Sequence, residues 1–441
     1  MSRISFPLSV ATLLLLVSIP AFSDSQARIV RLSYVEGGVQ IDRGSGYGKA
    51  FLNLPLAQGT RLRTADEGRA EIEFENGSTM RITLKSEVEF SQLSLRNSGG
   101  RVSTVRVLSG TAYVDYQNAK NDEFTIDFAQ ARTTLADSSH LRIGVGDSAS
   151  TVAVFKGNVR VEGSSGTVEV KKNQTVSFEQ TGQYQLAKNI EKLPFDSWDK
   201  EQSEFHVRYA GNQNNSPYSY GNADLSYYGS YFNAPGYGML WQPYLVGAGW
   251  DPFMDGAWLY DPVGGYGWVS AYPWGWTPYH YGNWIFVPGF GWAWQPGGVW
   301  MPWYSRPRVI NAPSGFKAPR APSTGQTMVV VNRGPASVPT VQSGNKVVVR
   351  NDSAGLGIRR GEVRDLAKAS RQVEARRTTT EHVQTVPVAA QPSSHPQPAS
   401  HPSSGGMQGM SRPSAPPSAA PMAHPAPASS SSGASGGRPP R

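Results

Sequence analysis

The chain has 441 residues, a formal net charge of +8 and no cysteine, which excludes disulfides, thiolate metal sites, a cysteine nucleophile and a lipobox anchor. Its length allows two or three domains. Gly (47) and Pro (33) are abundant and only 17% of residues are charged, against roughly a quarter in an average globular protein; the departure comes mostly from the second half.

Residues 1–23 read as a secretory signal. Arg3 gives a positive start, Leu8 to Ile19 is an apolar run, and Ala21 and Ser23 are small residues at the −3 and −1 places of a cleavage site. The run is short of the roughly 20 apolar residues of a bilayer span, and the alternative is an uncleaved anchor. Later apolar stretches are broken by Gly, Pro and charges. The expected location is therefore outside the cytoplasm, periplasmic or associated with the cell envelope.

From Arg28 to about Leu186 the period is two. Ala70, Ile72 and Phe74 alternate with Arg69, Glu71, Glu73 and Glu75, and Met80, Ile82 and Leu84 do so after Asn76-Gly77. Asn-Gly between alternating runs predicts a hairpin whose two central residues need φ > 0. Many short alternating runs follow without a helix-period stretch, so residues 28–186 are predicted to be an all-β antiparallel sandwich or roll. Leu108-Ser-Gly110 and Phe155-Lys-Gly157 echo each other, each an apolar run, a glycine turn and a second run, as in two ordinary hairpins.

The run Asn53 to Thr64, then Gly68 to Phe74, Asn76-Gly77-Ser78 and Leu108-Ser-Gly110, resembles the FecR family of periplasmic β-domains over roughly residues 28–180. In signalling members that domain senses an outer-membrane receptor and controls a sigma factor. Those members carry a cytoplasmic segment before a membrane helix, whereas here only a few residues precede the apolar run. The resemblance therefore implies an extracytoplasmic binding or scaffolding module, without the anti-sigma role.

Residues 187–236 are predicted to be a connector. Leu193, Trp198 and Phe205 suggest a short amphipathic helix with Pro194 at an early turn, and 212–231 reads as a flexible linker. Residues 237–304 form an aromatic module with eleven of the twelve tryptophans. Two copies of a pattern stand there, Trp250 to Pro262 with Tyr266-Gly-Trp268, and Trp276 to Pro288 with Phe290-Gly-Trp292, 26 positions apart at Trp250/Trp276 and Trp258/Trp284. Interior prolines exclude a long helix, and short strands 257–260 and 283–287 between Pro/Gly turns fit instead. Its segment also resembles the Trp/Gly/Pro-rich stretch that follows FecR-like domains in some exported bacterial proteins and that implies no particular activity.

Two readings of these rings stay open. They are core, each burying roughly 150–250 Å², or some are exposed platforms for a sugar. The candidate ligand contacts are Trp258, Trp268, Trp276, Tyr279, Trp284 and Trp292. With no Lys or Arg from Tyr237 to Ser305, the module is not expected to bind nucleic acid.

Residues 305–441 hold 17 Lys and Arg against 5 Asp and Glu, a net of +12. Two valine strands, 328–331 and 347–349, precede a helix-like spacing of Val363, Leu366, Ala369 and Val373. Residues 305–377 thus suggest a small ββα element docked on the aromatic module. Residues 378–441 are Pro, Ser, Ala, Gly and His and are expected to be disordered. Such a basic tail could contact anionic envelope polymer or act as a spacer.

Catalytic motifs are absent from the sequence. The seven histidines lack zinc spacing, and His280 between Tyr279 and Tyr281 reads as packed. No metal and no cofactor is expected. Asp251, Asp255 and Asp261 are the only acids of the aromatic module and the only basis for a carbohydrate-active enzyme. The expected function is a non-enzymatic binding or scaffolding protein of the cell envelope that contacts envelope polysaccharide, peptidoglycan or an envelope protein. It would meet a membrane only through an uncleaved signal segment. The alternatives are a component of FecR-type envelope signalling, which requires a membrane-embedded partner, and the carbohydrate-active enzyme.

Overall fold

Alternating apolar and polar residues become strands in the computed structural model, which describes residues 28, 30–211, 215–261, 265–301, 308–323, 326–332, 346–376 and 380–384. The signal segment 1–23 and the tail, apart from 380–384, lie outside the described residues. Every described residue falls within the unit Met1–Pro392.

The first domain contains β1 (Val30–Glu36), β2 (Val39–Asp42), β3 (Tyr47–Lys49), β4 (Pro55–Leu56), β5 (Arg61–Thr64), β6 (Arg69–Glu73), β7 (Thr79–Ile82), β8 (Glu87–Leu95) and β9 (Arg101–Tyr116). It continues with β10 (Glu123–Phe128), β11 (Ala131–Leu135), β12 (Ser139–Val145), β13 (Ala149–Lys156), β14 (Asn158–Gly163), β15 (Gly166–Lys171), β16 (Gln174–Glu179) and β17 (Tyr184–Ala187). One layer runs β4-β1-β6-β7-β9-β12-β13-β16-β17. The other runs β3-β2-β5-β8-β9-β10-β11-β14-β15. Pairing is antiparallel except between β9 and β10. The apolar faces meet in one core that includes Leu32, Ile72, Met80 and Val114 from the first layer and Leu62, Phe90, Ile126 and Val161 from the second. The all-β expectation is borne out.

Two turn expectations are corrected. β6 and β7 do pair, but only Gly77 has positive φ, and Phe74 N–H donates to Ser78 O at 2.8 Å to close a longer loop. Gly110 and Gly157 are not hairpin turns. Gly110 is where β9 leaves the second layer for the first, and Gly157 joins β13 of the first layer to β14 of the second. Both have φ near +80°, and a Cβ on Gly110 would lie 2.3 Å from Ser86 Oγ. The echo therefore marks two corners at which the chain changes layer.

After β17 comes α1 (Asp196–Arg208), which buries Trp198 and Phe205 as the amphipathic pattern requires. The stretch expected as a linker instead holds α2 (Asn222–Tyr228) and β18 (Gly229–Ala234). Its tyrosines have buried partners: Tyr227 and Tyr228 hydroxyls donate to Val363 O and Ile358 O at 2.9 and 2.8 Å. Tyrosine in such a segment reads as polar, yet here its ring fills core and its hydroxyl satisfies a buried carbonyl.

The aromatic domain adds β19 (Gly238–Pro243), β20 (Asp255–Asp261), β21 (Gly265–Ser270), α3 (Thr277–His280), β22 (Asn283–Val287), β23 (Gly291–Gln295), β24 (Arg308–Ile310) and β25 (Met328–Asn332). The two sequence copies are the hairpins β20–β21 and β22–β23. A third, β18–β19, has the same plan, with Pro235-Gly-Tyr-Gly238 matching Pro288-Gly-Phe-Gly291 at the turn. Each begins Gly-x-aromatic, at Gly229, Gly256 and Gly282, and at each glycine a Cβ would strike a tryptophan of the facing strand, Trp241, Trp268 or Trp294. The glycine exists to let an indole lie on backbone.

Gly256→Ala is accordingly expected to cost about 1–3 kcal/mol, because its Cβ would sit 2.4 Å from Trp268 Cζ2 and 2.6 Å from Val269 O. Gly249→Ala, with nothing within 4 Å, should be close to neutral. Urea unfolding of the two variants checks the pair; equal midpoints would refute the packing argument.

The basic segment supplies β26 (Lys346–Arg350) and α4 (Leu366–Arg376), and the start of the stretch expected to be disordered instead forms β27 (Thr380–Gln384) by pairing with β26. Helix α4 buries Leu366, Ala369 and Val373 in the tryptophan core, as the helical spacing suggested. The two valine strands do not pair with each other: β25 joins β20, and β26 joins β27.

Candidate functional site

The six rings read as ligand contacts are all buried. Trp284 is 0% exposed and Trp292, the most open of them, 5%. Trp284 packs between Trp250, Trp274 and Tyr279 at centroid distances of 5.8–5.9 Å. Trp258 and Trp268 meet edge to face at 5.5 Å, and Trp292 lies 4.7 Å from Phe316. Trp276 packs separately on Tyr220, and the Tyr279 hydroxyl donates to Pro252 O. A stacking platform needs an open ring face, and these six are core instead. The structural reason is the three-hairpin plan, which turns one aromatic row of each hairpin towards a common interior.

The acids of the aromatic domain are also used internally. Asp251 accepts the Phe253 N–H at 2.8 Å, and Asp255 accepts the Tyr272 hydroxyl at 3.1 Å. The Asp261 side chain lies outside the described residues, as do His395, His401 and His424. Among the described residues no group of three or more His, Cys, Asp or Glu is placed to hold a metal. No described helix is long and apolar enough to cross a membrane.

Sequence reading missed the strongest electrostatic feature. The charged face of β1, β6 and β7 is not a solvated face; it is covered by α1, α2 and the segment around Arg360. Arg31 bridges Glu73 at 3.1 Å and Asp224 at 2.6 Å. Arg360 grips Asp224 with two nitrogens, at 2.6 and 2.8 Å, and reaches Glu71 at 2.6 Å. Arg81 bridges Glu71 and Asp199, both at 2.8 Å. His206 Nε2 lies 2.9 Å from Glu71 and His140 Nε2 lies 2.7 Å from Asp199. Glu71, Arg81 and Arg31 are fully buried. Asn53 adds neutral bonds, its amide donating to Ser270 O and Tyr272 O at 2.9 and 2.8 Å. The junction therefore ties the β-domain, α1, the aromatic domain and the C-terminal segment together. A sequence signal existed, since Arg69 to Glu75 and Arg81 mix both signs on one strand face, but its partners are remote in the chain.

Burial alone would raise the Glu71 and Asp224 pKa values. The neighbouring charges overcome it, led by His206 and Arg360 at Glu71 and by Arg360 and Arg31 at Asp224, and both carboxyls are held below their ordinary values of 4.5 and 3.8. At Glu73 burial wins over His206 and Arg31, and its pKa is raised. The signs follow from linkage. The depressed pair stabilises the fold above the unfolded pKa values and loses that contribution as pH falls through the folded ones, whereas Glu73 takes up its proton earlier and favours the fold on the acid side. Stability is thus expected to hold down to about pH 4 and to fall steeply below it. Urea unfolding from pH 7 to 2 tests this, with Asp224→Asn predicted to flatten the acid limb; an unchanged limb would refute it.

The aromatic domain has a cavity of about 330 Å³ beside α3 and the start of β22, lined in part by His280, Asn283 and Arg308. It lies next to the expected site through Tyr279, the one of the six rings that lines it.

Residues 60–160 match the family described as FecR protein, and residues 222–319 match a family of unknown function, DUF6600. Two crystal structures, at 1.65 and 2.50 Å resolution, of a candidate anti-sigma factor from Parabacteroides distasonis ATCC 8503 are similar at 13% and 12% identity, each with a TM-score of 0.27. The matches cover 31% and 33% of this chain and 63% and 71% of those chains, so the first spans less than two thirds of its relative, and superposition this loose supports no functional transfer. No curated protein matches. The chain thus carries a FecR family domain at 60–160, followed by a DUF6600 domain at 222–319.

Proposed function

We propose that the protein is a non-enzymatic binding or scaffolding protein of the bacterial cell envelope, acting in FecR-type signalling through an envelope-protein partner. The FecR match supports the signalling part. The observation that carries the scaffold is the buried charge junction, which joins the charged face of β1, β6 and β7 to Asp224 of the DUF6600 domain and to Arg360. Those strands are taken up by the junction, and we place the partner on the other layer, where Gln40, Arg61, Arg106, Arg132, Arg160 and Glu162 are exposed and Arg132 pairs with Asp127. The mixed charges of that surface suit a protein partner. Internal use of Asp251 and Asp255 supports a non-catalytic role.

A photocrosslinking residue placed at Arg106 or Arg160 in growing cells tests the reading. It predicts a discrete adduct with an envelope protein and an altered envelope-gene transcript profile on deletion of the chain. Absence of both, or turnover of peptidoglycan or envelope glycans by the purified protein, would overturn it.

A further inference from the structure

His280 is held more firmly than core packing demands. Its ring lies between two indoles, 4.1 Å from Trp276 and 5.6 Å from Trp300, the latter nearly parallel at 15°. Its Nδ1–H donates to Met301 O at 3.1 Å, while Met301 N–H donates to His280 O at 2.8 Å. A carbonyl can only accept, so the proton sits on Nδ1 and the lone pair on Nε2. Burial, opposed by the Met301 bond, pulls the pKa down to about 4, which leaves the ring neutral at physiological pH. Among the described residues Nε2 has no partner, and His280 is one of the residues lining the cavity of about 330 Å³.

The remaining lining has a definite character. Arg308 brings a guanidinium, Asn283 an amide that both donates and accepts, and Val299 and Met301 an apolar rim. Among the described residues no Asp or Glu lines it. Gly297 and Gly298 leave one wall bare, since a Cβ on either would meet nothing within 4 Å. The volume is at the lower end of the roughly 300–1,000 Å³ of small-molecule pockets, enough for one ring. Among the described lining residues Arg308 is the one cation, and a single guanidinium suits a singly charged carboxylate better than a phosphate, which attracts several cations. The Nε2 lone pair rejects a bare anion but accepts a hydroxyl hydrogen.

We propose that this cavity binds a sugar acid of monosaccharide size, its carboxylate on Arg308, a ring hydroxyl donating to His280 Nε2, and Asn283 bonding a neighbouring hydroxyl or amide. The apolar rim covers the hydrocarbon face of the ring. This site lies in the DUF6600 domain, away from the Arg106 and Arg160 surface, so either proposal can fail without the other.

Calorimetric titration of the full chain with N-acetylmuramate and glucuronate, each beside its neutral counterpart N-acetylglucosamine or glucose, tests it. At least one acid should saturate, about tenfold or more tighter than its neutral counterpart. Arg308→Gln, at an exposed position, should erase that preference, and Val299→Trp at the rim should block binding without lowering the melting temperature. Binding of N-acetylmuramate alone assigns the pocket to peptidoglycan, and binding of glucuronate as well assigns it to acidic polysaccharide. No saturation of either acid by about 10 mM, equal affinity for the neutral sugar, or full affinity in Arg308→Gln overturns the proposal.

Discussion

Arg360→Ala is expected to destabilise the protein by about 3–5 kcal/mol, the range for removing one partner of a buried ion pair. The loss of attraction is the smaller part. Asp224 and Glu71, both buried, would each lose a guanidinium at 2.6 Å and be left under-compensated beside Glu73, with Arg31 on Asp224 and Arg81 and His206 on Glu71 as the remaining counter-groups. Arg360 also lies over the Phe205 ring at 5.4 Å, so truncation opens a gap next to α1. Combining Arg360→Met with Asp224→Asn and Glu71→Gln should recover much of the loss, because the penalty comes from unpaired charge rather than from the missing pair. Urea unfolding measures the cost, and hydrogen exchange shows where it falls. Early exchange of α4 would mean that Arg360 chiefly clamps the C-terminal segment; a uniform rise would mean that the whole unit depends on it. A cost below about 1 kcal/mol would place Arg360 in a solvated environment and dissolve the junction argument.

The residues that misled sequence reading share one cause. Alternation along residues 28–186 reports which residues share a face, and that face pattern was legible. Whether a strand stays in its sheet is a tertiary matter, so Gly110 and Gly157 looked like hairpin turns although they are layer corners. The third aromatic hairpin escaped because Tyr231 stands where the other copies have Trp258 and Trp284, and only the register Tyr231↔Trp241 beside Trp284↔Trp294 exposes it. The charge junction was the least legible feature. Arg and Glu on a strand are usually solvated, and nothing local to Glu71 announces a partner 289 residues away. His280 was visible as a packed ring, but its Nδ1 bond and the cavity depend on Met301 and Arg308, which belong to other segments.

Trp284→Ala should carry a comparable penalty, about 3–5 kcal/mol, from the cavity it leaves among Trp250, Trp274 and Tyr279. Comparison with Trp274 separates packing from hydrogen bonding. Trp274 Nε1–H donates to Ala354 O at 2.7 Å, whereas Trp284 Nε1 has no partner among the described residues. Phenylalanine at 284 therefore sacrifices only volume, while phenylalanine at 274 also strands a buried carbonyl and should cost about 1–3 kcal/mol more. Tryptophan emission that is blue-shifted and poorly quenched by acrylamide, with melting temperatures ordered Trp284→Phe above Trp274→Phe, would establish the rings as core. A Trp284→Ala variant that kept full stability yet lost sugar binding would instead make that ring a ligand contact and require the hairpins to open.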